Sequence, residues 1–117
     1  MISADQIRGW AMAYDEALEQ PHFEKSSFRI RKKIFCTLDA QKKQAVLKLS
    51  EEDQSVFCAY DPTAAYPATG SWGRQGWTIF EIEKTNADLF KDALTCSYCQ
   101  VAPKKLAKLY LPPEPED

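Results

Sequence analysis

Apolar positions change their spacing along this chain, and each change marks a change of element. Ile7, Trp10, Tyr14 and Leu18 recur at the period of one helix face, and Ser3 with Gln6 forms a capping-box pattern at the start. This predicts a first helix running to about Gln20, just ahead of Pro21, with Gly9 inside it at a cost of ~1 kcal/mol relative to Ala. Between Phe28 and Ser50 the period falls to two: Phe28 and Ile30, then Ile34, Cys36 and Leu38, then Ala45, Leu47 and Leu49. Alternation of this kind predicts strands with those residues on the buried face. The polar segment 39–43 is short enough for a hairpin connection, so the strands around it should pair antiparallel.

Ser50 then reads as the N-cap of a second helix, whose first turn carries Glu51, Glu52 and Asp53 and whose buried side is Val56, Phe57 and Tyr60. That helix should end near Asp61-Pro62. Residues 66–77 contain Gly70, Gly73 and Gly76 and read as a flexible loop tip leading into a strand over 78–83. Phe80 and Ile82 face one way in that strand, and Trp77, Ile79, Glu81 and Glu83 the other. Asn86 caps a third helix with Leu89, Phe90, Ala93, Leu94, Ser97 and Val101 inward, and Pro103 opens a basic last turn. The fold class is therefore α+β: a two-layer sandwich of an antiparallel sheet with helices on one face. Residues 1–111 form one domain, and the acidic, Pro-rich tail 112–117 is expected to be disordered.

The same alternation defines the opposite sheet face, where Phe35, Thr37, Val46, Lys48, Trp77 and Ile79 should lie together. With all helices on one side, this face meets solvent unless loops, the C-terminal segment or a partner cover it.

Charge and cysteines narrow the chemistry. A net charge of -2 lacks the basic excess of a dedicated nucleic-acid binder, so any contact with DNA must use a local patch. The N-terminus has neither a basic n-region nor an apolar h-region, and no apolar run approaches the ~20 residues that span a bilayer, so a cytoplasmic location with no membrane partner is expected. Cys36, Cys58, Cys96 and Cys99 are then expected to be free thiols. Cys96-Ser-Tyr-Cys99 sits inside a helical pattern without a second pair, so no metal is expected.

Catalytic constellations are missing. The single histidine, His22, falls at a predicted helix end, where a capping or surface role is the simplest one, and GxSxG, HExxH and P-loop patterns are absent. The three glycines before Trp77 precede a strand rather than a helix, which leaves no helix N-terminus to receive a phosphate. Glu81 and Glu83 on one strand face read as solvated acids. The chain is thus expected to be no enzyme and to need no cofactor.

Several segments together resemble the MmcQ/YjbR family: 33–38, 45–49, the Tyr66-Pro67 loop, 77–82, and Ser97-Tyr98 in the last helix. The resemblance covers roughly residues 3 to 109. It implies a CyaY-like or double-wing arrangement and a DNA-binding role inferred from fold. By this resemblance Trp77 corresponds to the family's Trp at the start of the last strand, and Arg74 lies in the loop where the family often carries basic residues. The residue before that Trp is often His in the family; here it is Gly76.

Two binding hypotheses follow. In the first, basic hairpin tips act as wings on DNA, weakly and largely without sequence preference: Arg31, Lys32 and Lys33 at one connection, Lys42 and Lys43 at another, and Arg74 with Trp72 at a third. In the second, the face bearing Phe35, Val46, Trp77 and Ile79 docks a partner protein. Frataxin-like iron binding, a third idea suggested by the fold analogy, would need an acidic ridge, and Asp5, Asp15, Glu16 and Glu19 offer little of one.

Overall fold

The computed structural model describes residues 2–111. The predicted tail 112–117 lies outside them. Helix α1 (Ala4–Met12) opens on the expected capping box: Ser3 Oγ accepts from Gln6 N at 3.1 Å, and Gln6 Oε1 accepts from Ser3 N at 2.9 Å. It ends eight residues before the predicted stop at Gln20. Residues beyond it are claimed by tertiary bonds. The Tyr14 ring stacks on Tyr98 at 4.7 Å, Tyr98 Oη donates to the Asp15 carbonyl at 2.8 Å, and Glu16 takes a positive φ of 63° while its carboxylate binds Arg31. Leu18, read as the end of the helical stripe, instead begins strand β1 (Leu18–His22).

Strands β2 (Lys25–Ile30), β3 (Lys33–Asp39) and β4 (Gln44–Lys48) follow as an antiparallel meander, as the alternation predicts. Helix α2 (Glu51–Tyr60) is capped by Ser50, whose Oγ accepts from Asp53 N. Short strand β5 (Ala65–Pro67), helix α3 (Ser71–Arg74) and strand β6 (Trp77–Glu81) come next. Strand β6 inserts between β4 and β5, giving the order β1-β2-β3-β4-β6-β5 with every pairing antiparallel. A 3-10 turn, Ile82–Lys84, leads to α4 (Ala87–Val101), capped by Asn86, and α5 (Lys104–Ala107) closes the described chain. No helix among the described residues is long and apolar enough to cross a membrane.

Helix α4 lies across β3 and β4 and supplies much of the core lid. Phe28, Leu38, Leu47 and Phe80 from the sheet meet Phe90 and Leu94 of α4, and all are essentially inaccessible. At roughly 1.5–3 kcal/mol per large apolar side chain, this layer holds the sandwich together. Helix α2 contributes less than its sequence suggests: Phe57 is buried, but Val56 and Tyr60 are exposed. Its inward polar residue is Gln54, whose Nε2 donates to the Gly73 carbonyl at 3.0 Å and to Thr78 Oγ1 at 3.0 Å.

One irregularity reassigns a predicted surface. Between β2 and β3 the register runs Phe28 to Cys36 and then Arg29 to Ile34, so Phe35 is an extra residue, a β-bulge. The bulge breaks the period of two. Phe35 joins Cys36 in the core, fully buried, with Tyr98 edge-on at 5.5 Å and Tyr14 at 6.1 Å. Phe35 is therefore absent from the open face expected to carry it, and Ile34, expected inside, takes that place.

Candidate functional site

The open face is defined by register. Thr37 pairs with Val46 and Val46 with Ile79, while Lys48 pairs with Trp77 at one end of the sheet. At the other end Tyr66 Oη and Gln44 Nε2 both donate to Glu81, and the Tyr66 phenol is raised above its usual pKa chiefly by that bond. The strand stops at Glu81, and the 3-10 turn carries Glu83 to Lys43 at 3.3 Å, so the two acids do not share a strand face as expected.

The three basic connections do not all meet. The β2–β3 turn, with Arg31 and Lys32, and the segment before Trp77 lie at one end of the sheet. The β3–β4 turn, with Lys42 and Lys43, lies at the other, roughly 20 Å away at ~3.4 Å per strand residue. Two of the nominated cations are also engaged: Lys43 by Glu83, and Arg31 by Glu16 through Nε at 3.1 Å and Nη2 at 3.2 Å. That bond is the main reason the Glu16 carboxyl is held below its usual pKa. Arg74 faces a separate depression with Glu51 on the α2 side of the loop.

What the fold does assemble is a basic groove of ≈ 490 Å³ lined by Arg29, Lys32, Lys33, Lys48 and Trp77, with Ile34, Gln100 and Val101. No carboxylate lines it. Lys48 Nζ sits 5.8 Å from the Trp77 ring centroid and donates to the Gln75 carbonyl, a cation held against an indole face. Arg29 and Lys48 add two cations to those expected at the hairpin tips. The alternation itself signals both: Arg29 lies between inward Phe28 and Ile30, and Lys48 between inward Leu47 and Leu49.

Beside this groove lies a second, more apolar one of ≈ 400 Å³, and the two share Ile34 and Trp77. Thr37 and Val46 complete its floor; His22 and Lys25 of the β1–β2 hairpin form one wall, and Ala68, Thr69 and Trp72 the other.

The loop holding Trp72 is shaped by glycine. A β-carbon at Gly76, where φ is +104°, would lie 1.9 Å from the Leu49 carbonyl oxygen, and one at Gly73 would lie 2.0 Å from that of Ala68. No side chain fits at position 76 without moving backbone, so the histidine seen there in the family has no counterpart in this geometry. Residues 70–76 are thus a bonded turn and short helix rather than a flexible tip. Leu49 N donates to the Gly76 carbonyl at 2.9 Å and Ala68 N to the Trp77 carbonyl at 2.9 Å.

Among the described residues no three His, Cys, Asp or Glu side chains come together as a metal ion would require. Burial raises all four thiols, Cys96 to about 11 and Cys36 further, which makes them poor nucleophiles.

A model of the family described as YjbR matches residues 12–100 of the chain. No curated protein matches it. Among solved structures, the crystal structure of Deinococcus radiodurans protein DR2400, family-model domain DUF419, is similar, with a TM-score of 0.78 and 20% sequence identity over 96% of this chain and 91% of that one. The likeness is one of fold.

Proposed function

The chain belongs to the YjbR family, and from that premise we propose that it is a non-enzymatic, cytoplasmic module that binds nucleic acid weakly and without strong sequence preference, through the end of the sheet that carries the β2–β3 turn. One observation carries the reading: Arg29, Lys32, Lys33 and Lys48 line, together with Trp77, a groove that no carboxylate lines, within a chain whose overall charge is negative. Phosphates supply the charge such a groove lacks, and an indole offers a face to a base or sugar. Backbone strain adds support. Arg31 and Lys32 occupy a two-residue hairpin turn with φ of 49° and 72°, a conformation suited to Asn-Gly, so cations stand there at a conformational cost.

The test is a salt titration of binding to fluorescently labelled DNA. Lys33→Glu with Lys48→Glu should abolish binding, and neutralising either residue alone should lower the salt slope by roughly one unit. Lys42→Glu with Lys43→Glu, at the far end, should leave affinity nearly unchanged. Absence of binding by the parent even at low ionic strength overturns the proposal. It would favour the competing reading, a protein-docking face around Val46, Trp77 and Ile79, which imposes no such salt dependence.

A further inference from the structure

The apolar groove beside the basic one has a shape and chemistry of its own. Its floor is the half-covered sheet face at Thr37, Val46 and Trp77, and Trp72 rises from one wall with 61% of its surface exposed. A large indole left in water is a cost that its surroundings do not explain, because among the described residues Trp72 has no ring partner, whereas the rings in the core are packed edge-on or stacked. Nor is it displayed on a floppy arm. Gly73 behind it is pressed against Ala68, Gln54 holds the Gly73 carbonyl at 3.0 Å, and Gly76 is pressed against Leu49. A rigid aromatic wall over an apolar floor has already lost the freedom that binding would otherwise cost.

Size and charge select the occupant. A volume of ≈ 400 Å³ lies within the ~300–1,000 Å³ range of small-ligand sites. Bases in a duplex are stacked inside and cannot reach such a floor, while an unpaired strand can present one. No carboxylate lines either groove. The cations stand at both mouths: Lys25 beside the β1–β2 hairpin, and Lys33 and Lys48 where the two grooves adjoin.

Resting on the phosphate-binding reading above, we propose that this groove seats one unpaired base of a single-stranded nucleic acid against Trp72, with the flanking phosphates at Lys25 and at Lys48. Single strands are then bound more tightly than duplex, and the discrimination resides in Trp72 rather than in the cations.

The experiment compares oligo-dT, an abasic strand of the same length and a duplex, each against the parent, Trp72→Ala and Trp72→Phe. Trp72 is exposed, so these variants keep the fold, which circular dichroism verifies. The parent should bind oligo-dT about 5- to 100-fold more tightly than the abasic strand; Trp72→Ala should erase that difference while leaving abasic binding unchanged, and Trp72→Phe should restore part of it. Equal binding of oligo-dT and abasic strand by the parent, or tighter binding of duplex, overturns this inference and leaves the phosphate reading standing. Failure of all three nucleic acids to bind overturns both.

Discussion

Ser97 shows how a single side chain can hold two layers. The bulge at Phe35 interrupts the sheet ladder just beyond the Cys36–Leu47 pair, and Ser97 Oγ fills the gap, donating to the Phe35 carbonyl at 2.5 Å and accepting from Lys48 N at 3.0 Å. Ser97→Ala should cost about 1–3 kcal/mol, because a buried carbonyl and a half-buried N–H lose their partner. Phe35→Ala should cost about 3–5 kcal/mol, as for a fully buried aromatic, and Trp77→Ala less, since that ring lies on the open face. Urea denaturation midpoints measure all three; a Trp77→Ala chain as unstable as Phe35→Ala would mean that the face is core. Gly76→Ala should destabilise by on the order of 2 kcal/mol or more, from the positive φ and the contact with Leu49 together.

Among the elements, the β2–β3 hairpin sets stability against charge. Lys32→Gly relieves a left-handed residue and should raise stability by about 1 kcal/mol while weakening DNA binding, two effects of opposite sign in one variant. Thermal melting read beside the salt titration checks it, and a variant that gains nothing in stability would show the turn to be unstrained. Which elements could be read from the sequence follows a similar logic of local against distant forces. The caps at Ser3, Ser50 and Asn86 and the meander of β2, β3 and β4 are written in neighbouring residues, and all of them form. The early end of α1 and the inward turn of Phe35 depend on Tyr98, far along the chain, and a periodicity argument has no access to that contact. The groove is half legible for the same reason: alternation puts Val46, Lys48 and Trp77 on one face, but only the strand order shows that Lys33 joins them and that Lys42 does not.

At the scale of the whole molecule, the buried thiols and phenols make stability depend on alkalinity. Ordinary thiols and phenols lose their protons near pH 9 and 10, whereas burial moves Cys96 up to about 11 and Tyr98 up to about 12, with Cys36 and Tyr14 raised as well. Above about pH 9 the unfolded chain gives up protons that the folded chain retains, so this stability, complete below that pH, is lost as pH rises through the folded values. Denaturation midpoints should be insensitive to these groups up to about pH 8.5 and then fall steadily toward pH 12. Cys36→Ala should make the fall shallower throughout, from about pH 9 upward, and a midpoint unchanged up to pH 11 would contradict the burial described.

The insertion of β6 between β4 and β5 also governs what the chain experiences as it is made. Strands β1 to β4 pair with immediate neighbours and can form as they leave the ribosome, N-terminal part first. The face they turn toward α4 gains its lid only when residues 87–101 have emerged, nearly the last of the described chain, and the Ser97 bonds that fasten β3 to β4 arrive with them. Until then Phe28, Phe35, Leu38 and Leu47 form an uncovered apolar sheet face, and the edge of β4 stays open until β6 has emerged ahead of α4. A nascent chain paused before α4 therefore holds an apolar sheet face without its lid, and the interval between synthesis of β4 and of α4 is the one in which self-association is most favoured.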